Sequence, residues 1–205
     1  MEYKKLHTPS TCSYSMHEDT ASMYWKLLDV NSGKVLDLGS GMGGFGKAKP
    51  ENISLYGVDR DLSISANSHG YEDVVNMDIG STVLPFDDDS FDAILARDIL
   101  EHLDSPWEVV DDLFRILKVG GRIIVSVPKP DPKIVWNDYT HRRGFTSGAL
   151  SSLMENSGFH VEDIFLMSGY TLAARFKISK ILPIIGHIPL LRNFFCSYHC
   201  ISVKR

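Results

Sequence analysis

Acids are missing from the end of the chain, cysteine is scarce, and no apolar run is long enough to cross a bilayer. The three cysteines, Cys12, Cys196 and Cys200, cannot all pair with one another and include no CxxC, which argues against a disulfide framework and against zinc or thioredoxin-like spacing. Reduced thiols, as in a cytoplasmic protein, are the expectation. His199 lies between Cys196 and Cys200 and could join them as ligands, yet the run reads as the approach to a final strand, so packing is preferred and no metal is expected. Met1-Glu2-Tyr3-Lys4-Lys5 leads into polar Ser and Thr, so no secretion signal is expected. No segment reaches the roughly 18 uninterrupted apolar residues of a membrane span. Repeats and low-complexity tracts are absent. So is a basic stripe: 21 Lys and Arg stand against 26 Asp and Glu, a formal charge of −5, which makes nucleic acid a poor substrate. What is present suffices for one core, with 43% of 205 residues hydrophobic, so residues 1 to 205 are read as a single domain.

Chemistry enters at Val35-Leu36-Asp37-Leu38-Gly39-Ser40-Gly41-Met42-Gly43-Gly44, a strand running into a glycine turn. Glycines let backbone approach a ligand closely and permit positive φ. Asp59 closes the next apolar run, Leu55-Tyr56-Gly57-Val58, where an acid accepts both hydroxyls of a ribose. A nucleoside cofactor is implied, and two kinds compete. Gly39-x-Gly41-x-x-Gly44 satisfies the dinucleotide fingerprint, with Asp59 near the ~20-residue offset of its ribose acid. Asp37, two residues before the first glycine, occupies a position where a dehydrogenase strand carries a small apolar residue, and no Tyr-x-x-x-Lys pair accompanies it.

The pattern acid-x-Gly-x-Gly-x-Gly resembles the first motif of class I S-adenosylmethionine (SAM) methyltransferases. The resemblance continues through Leu84-Pro85-Phe86-Asp87, Ser90-Phe91-Asp92-Ala93-Ile94 and Asp98-Ile99-Leu100-Glu101-His102-Leu103, similar to that family's fourth-strand block. Leu117-Lys118-Val119-Gly120-Gly121-Arg122-Ile123-Ile124-Val125 resembles its helix, tight turn and fifth strand. His141-x-Arg143-x-Phe145-Thr146 with Gly158-Phe159 is similar to a segment of its small-molecule, methyltransferase type 11-like branch. The match runs over roughly residues 34 to 167. It implies an α/β, Rossmann-like, seven-stranded and mostly parallel sheet with helices on both faces. The alternation of apolar runs and helical segments points to the same βαβ rhythm. Strands are expected near 34 to 38, 53 to 58, 73 to 77, 91 to 96, 121 to 127, 160 to 167 and 198 to 204. Helices are expected at 106 to 118, opened by Pro106, and at 146 to 157, between Thr146 and Gly158. Only Phe45 to Asn52 separate the glycine turn from the second strand, and Pro50 lies among them, so the first crossover helix must be short.

The resemblance also implies roles. Asp37 would hold the methionine ammonium of SAM, with Gly39, Ser40, Gly41 and Gly43 forming the turn around it. Asp59, with Arg60 beside it, would take the ribose, unless Asp59 is only a turn residue. Asp78 would meet the adenine amino group with Ile79 flanking the ring, although an acid before Gly80 is also a common turn former. Arg97 contacts the cofactor or pairs with Asp98. Methyl transfer to a hydroxyl needs a proton acceptor, and histidine is the first suspect. His102 is the candidate base and His141 a catalytic-side substrate contact; either could instead be a structural histidine. Arg143, whose planar fork suits an anion, and Tyr139 are candidate substrate residues.

The chain's own signature is electrostatic. After Asp163 come only cations, namely Arg175, Lys177, Lys180, Arg192, Lys204 and Arg205; the other 15 basic residues lie with all 26 acids in residues 1 to 163, which carry −11. Residues 169 to 196 form an apolar, basic insertion before the last strand, with Ile178, Ile181, Leu182, Ile184, Ile185 and Ile188 among its apolar side chains. The segment 170 to 195 could lie on anionic lipid, roof a pocket, or pack against the core or a second copy. Residues 1 to 30 are expected to carry a covering helix, over Tyr14 to Val30. These readings converge on a SAM-dependent methyltransferase for a small-molecule acceptor, lipid-like or lipid-linked, at oxygen, cytoplasmic or peripheral at a membrane. The rivals are a nicotinamide-dependent oxidoreductase and a non-catalytic SAM-binding protein.

Overall fold

The computed structural model describes residues 18–60, 68–168 and 195–205. Seven strands form one sheet: β1 (Gly33–Leu38), β2 (Ile53–Asp59), β3 (Tyr71–Asn76), β4 (Phe91–Arg97), β5 (Leu117–Pro128), β6 (Phe159–Ser168) and β7 (Phe195–Lys204). Their order is β3-β2-β1-β4-β5-β7-β6. Strands β1 to β5 pair in parallel, and β7 enters antiparallel between β5 and β6. The chain passes outward from β1 to β2 and β3, then returns to β4 on the other side. That reversal opens a crevice at the carboxyl ends of β1 and β4, where ligands of such sheets bind.

Both sheet faces are clothed, because each inner strand is apolar at successive positions. Leu36, Ile94 and Ile123 point into one layer, with helix α2 (Pro106–Ile116) and helix α4 (Ser147–Asn156). Val35, Leu95 and Ile124 point into the other, with helix α1 (Glu18–Leu28). Helix α2 opens with Pro106 in its first turn and buries Val109, Val110, Leu113 and Ile116 at helical spacing. Each such side chain contributes about 1.5–3 kcal/mol. Thr146 caps α4, its Oγ1 accepting from Ala149 N at 3.1 Å. On α1, Ala21, Tyr24, Trp25 and Leu28 lie in the core. A single helical turn, α3 (Pro132–Val135), lies in the loop after β5.

The first crossover is as short as the chain length requires, a 3-10 turn over Gly44–Ala48. It is held by packing. Phe45 is fully buried and stacks on Trp25 at 4.1 Å, while Trp25 Nε1 donates to the Phe45 carbonyl. Gly46 lies so close to residue 69 that a Cβ would meet the His69 carbonyl at 1.9 Å, so no larger residue fits.

Several expected boundaries need correction, among them the fifth strand, which begins at Leu117 rather than 121, and the last, which begins at Phe195 rather than 198. The helix placed at 106 to 118 ends at Ile116, because Leu117, fully buried, turns extended and pairs with Phe91 in β4. The third strand starts at Tyr71 rather than 73, since Tyr71 pairs with Leu55. The first part of the covering helix and the basic insertion fall outside the described residues. Among the described residues no helix is long and apolar enough to cross a membrane.

Candidate active site

The alternation that buries Val35, Leu95 and Ile124 carries Asp37, Arg97 and Ser126 onto the same sheet face nearer the carboxyl edge. Asp37 is 4% exposed, and its Oδ2 accepts a 2.5 Å hydrogen bond from the Tyr71 hydroxyl. Burial pushes its carboxyl up to about 6, against the pull of Tyr71 and of the Arg97 charge, with Asp59 raising it further. Asp37 is therefore a carboxylate held short of compensating positive charge. Around it the glycine turn is fixed by backbone: Gly39 N and Ser40 N donate to the Val58 carbonyl at 2.8 and 3.1 Å. Gly39 has φ +76, where a residue with a Cβ is strained, and a Cβ there would also press on the Ile99 side chain at 3.2 Å. Gly41 N donates to Asp59 Oδ2 at 2.8 Å, tying the turn to the end of β2, and Gly43 is left-handed at φ 68. Ser40 Oγ is buried without a partner.

This set fits SAM. A buried acid suits an ammonium, the acid ending β2 suits a ribose, and an orphaned hydroxyl awaits a polar group. The adenine side is less complete. Asp78 is exposed and its carbonyl accepts from Ser81, whereas Ile79 is packed into the core with Leu84 and Leu103. The Arg60 carbonyl accepts from Asn76 Nδ2 at 3.1 Å. Arg97 acts electrostatically on Asp37, while Asp98 accepts from Ser126 Oγ at 3.0 Å.

On the other side of the crevice, β4 leads through Asp98, at φ 52, into a 3-10 turn over Leu100–His102. Here the fold unites residues 39 positions apart. The rings of His102 and His141 meet edge to face with centroids 4.7 Å apart. His141 Nδ1 lies 2.6 Å from the Val135 carbonyl, which can only accept, so Nδ1 carries the proton. His102 Nδ1 lies 2.9 Å from Thr140 Oγ1, whose own proton goes to Asp138 Oδ1 at 2.6 Å, so this Nδ1 also donates. These partners fix a proton on each Nδ1 and leave each Nε2 without a hydrogen-bond partner. Each Nε2 stands 4.0 Å from Oε1 of Glu101. Glu101 is 1% exposed and neither carboxylate oxygen has a hydrogen-bond partner. Burial, with Asp98 and Asp138 adding repulsion, holds its pKa well above the ordinary carboxylate range, and burial beside His141 lowers that of His102.

The loop that carries His141 is tied down by its neighbours. Arg142 N donates to the Glu101 carbonyl and Arg142 pairs with Asp104. Arg143 donates to the Asp104 carbonyl at 2.7 Å and lies over Trp107, so its guanidinium holds two loops together. Tyr139 is 63% exposed. Among the residues singled out from sequence, the structure thus brings Asp37, the glycine turn and Asp59 together, and His102 to His141. It adds two that sequence reasoning missed. Tyr71 lies before the run 73 to 77 that reads as the third strand, and Glu101 is an acid inside the apolar run Ile99-Leu100-x-His102-Leu103, which was the available signal. Behind the crevice Tyr24 bonds His199 Nδ1 at 3.3 Å and Ser197 bonds its Nε2 at 2.9 Å; burial lowers His199 to about 4.

Comparison with known proteins agrees with this geometry. The model of the methyltransferase domain family matches residues 16–164, and the chain belongs to that family, the SAM-dependent methyltransferases. Similar proteins include the phosphoethanolamine N-methyltransferase of Triticum aestivum, 28% identical over 158 residues, which are 69% of this chain and 31% of the wheat protein. A Mycolicibacterium smegmatis protein named for SAM-dependent methyltransferase activity is 29% identical over 150 residues, 69% of this chain and 58% of that one. The chain thus spans about a third to somewhat over half the length of these relatives. In fold it resembles a SAM-dependent methyltransferase from Archaeoglobus fulgidus, with a TM-score of 0.70 at 23% identity over 91% of this chain and 92% of that one.

Proposed function

We propose that the chain moves the methyl group of SAM to an oxygen of a small-molecule acceptor, lipid-like or lipid-linked, seated against Glu101, His102 and His141. The bound cofactor supplies a sulfonium methyl that is already electrophilic. What remains for the protein is to orient the nucleophile, exclude water and receive a proton. Asp37 takes the ammonium, Asp59 the ribose, and Gly39 to Gly43 line the chain between them, with Asp78, Ile79 and Arg97 at the adenine side. The observation that carries the acceptor side is the convergence of two imidazole Nε2 atoms on a buried carboxyl that has no hydrogen-bond partner of its own. Such a set favours an acceptor group that can both give and take a hydrogen bond, a hydroxyl above all. His102 is the proton acceptor in this reading, His141 its partner, and Tyr139 and Arg143 stand on the adjoining loop.

A nitrogen acceptor is the second reading, favoured by the name of the wheat relative. The lipid-like character rests on the apolar, basic run at 170 to 195. A transfer assay with methyl-labelled SAM against soluble metabolites and a lipid extract tests the proposal. Label recovered as the methyl ether of a former hydroxyl supports it; label confined to amines moves the assignment to nitrogen, and cofactor binding without transfer to any acceptor overturns it.

A further inference from the structure

We propose that Glu101, His102 and His141 form a binding site for a divalent first-row transition metal of the zinc type. The inference rests on the reading above and changes one role in it: with His102 Nε2 on the ion, the acceptor's oxygen would sit at the open fourth position, where the ion lowers its pKa and its proton passes to water rather than to His102. The argument starts from what the three groups lack. Each ring has its Nδ1 committed, one to a backbone carbonyl and one to a threonine whose hydroxyl is itself held by Asp138. Those partners are what metal-binding histidines use to fix tautomer and ring direction, leaving Nε2 to the ion. Both Nε2 atoms then face the same oxygen of a carboxylate that is 1% exposed and has no hydrogen bond of its own.

A buried carboxylate without donors is costly, and buried charges are found paired or on metals. Here the nearest groups are two more electron-pair donors. A proton on Glu101 removes the charge but still leaves both of its oxygens without a partner, because at 4.0 Å the two Nε2 atoms are beyond hydrogen-bond reach. A cation at the centre does. The three donor atoms lie within 4.8 Å of one another, so a common centre stands about 2.3–2.8 Å from each, and contraction by a few tenths of an ångström reaches the 2.0–2.2 Å of zinc bonds to nitrogen and oxygen. Two imidazoles and one carboxylate are borderline ligands, which suits zinc, cobalt or iron(II) better than magnesium or calcium. The cluster is held by Thr140, Asp138, Val135 and Arg142 rather than by mobile surface chains, so the site is built before the ion arrives.

The test uses the untagged full chain, stripped with chelator and then titrated with Zn²⁺, and separately loaded with Co²⁺ for its visible absorption bands. One equivalent retained through dialysis, with cobalt bands of a nitrogen and oxygen site, supports the site. Glu101→Gln and His141→Gln should each weaken retention at least tenfold while circular dichroism and S-adenosylhomocysteine (SAH) affinity stay as in the parent. Thr140→Val, which leaves all three ligands in place, should weaken it about ten- to a hundredfold. No stoichiometric metal in the parent, or equal retention by the Glu101→Gln and His141→Gln double variant, overturns the proposal. SAH binding without metal would sink the metal site alone; metal binding without SAH binding would sink the methyltransferase reading instead.

Discussion

Replacing Asp37 by Asn should make the protein more stable and a worse cofactor binder at once. Asp37 carries a pKa of about 6 in the folded chain against the ordinary 3.8. The folded state therefore holds this proton more tightly than the unfolded one, and stability present below pH 3.8 is lost as pH rises through 6. At pH 7.5 the ionised carboxylate withholds about 3 kcal/mol of folding free energy, from 1.36 kcal/mol per pKa unit. Asn keeps an oxygen for the Tyr71 hydroxyl but adds an amide group to bury, at a cost of about 1–2 kcal/mol. The net expectation at pH 7.5 is a gain of about 1–2 kcal/mol, which raises Tm by roughly 2–8 °C for a chain of this size. At pH 5 about half of the penalty has already gone, so the gain should shrink towards zero. Meanwhile SAH should bind about ten- to a hundredfold more weakly, since a hydrogen bond to a charged group contributes about 1.5–3 kcal/mol. Thermal melts at the two pH values and calorimetric titration check both halves. A variant that melts lower than the parent at pH 7.5, or a difference that does not change with pH, refutes the reasoning.

Asp59→Ala should weaken SAH by about 1.5–3 kcal/mol in calorimetry, since it removes the proposed ribose acceptor and frees Gly41 N; unchanged affinity in the folded variant removes Asp59 from the site. His199, lowered to about 4 by burial, is protonated in the unfolded chain first as pH falls, so stability present above pH 6.5 is lost between 6.5 and 4, by about 3 kcal/mol. Urea midpoints of the parent and His199→Gln should converge across that window, and parallel curves would contradict the assignment. If 170 to 195 meets lipid, acidic vesicles should carry the protein in flotation at low salt, less so as salt rises, and Arg175, Lys177 and Lys180 changed to Gln should abolish it at unchanged SAH affinity. Equal flotation of the triple variant would remove lipid contact through these residues.

The strands were legible because their signal is local. Val35 to Leu38, Ile53 to Asp59 and Phe91 to Arg97 are apolar runs of strand length, and in a doubly covered sheet such runs stand out against the helices between them. The glycine turn and Asp59 were equally legible, since their geometry follows from φ and from the end of a strand. The short crossover could be inferred from the count of residues alone. What stayed hidden depends on contacts between distant segments. Nothing near Tyr71 says that its hydroxyl reaches Asp37, and nothing near His141 says that its ring meets His102. The end of α2 shifted because Leu117 gains more from the sheet than from another helical turn.

The most direct check is a calorimetric titration of the purified chain with SAH and, separately, with NAD. A single SAH site, with no heat from NAD, is the expected result: Asp37 awaits an ammonium, and the glycine turn is tied to Asp59 for a ribose. Tight NAD binding with none of SAH would contradict it.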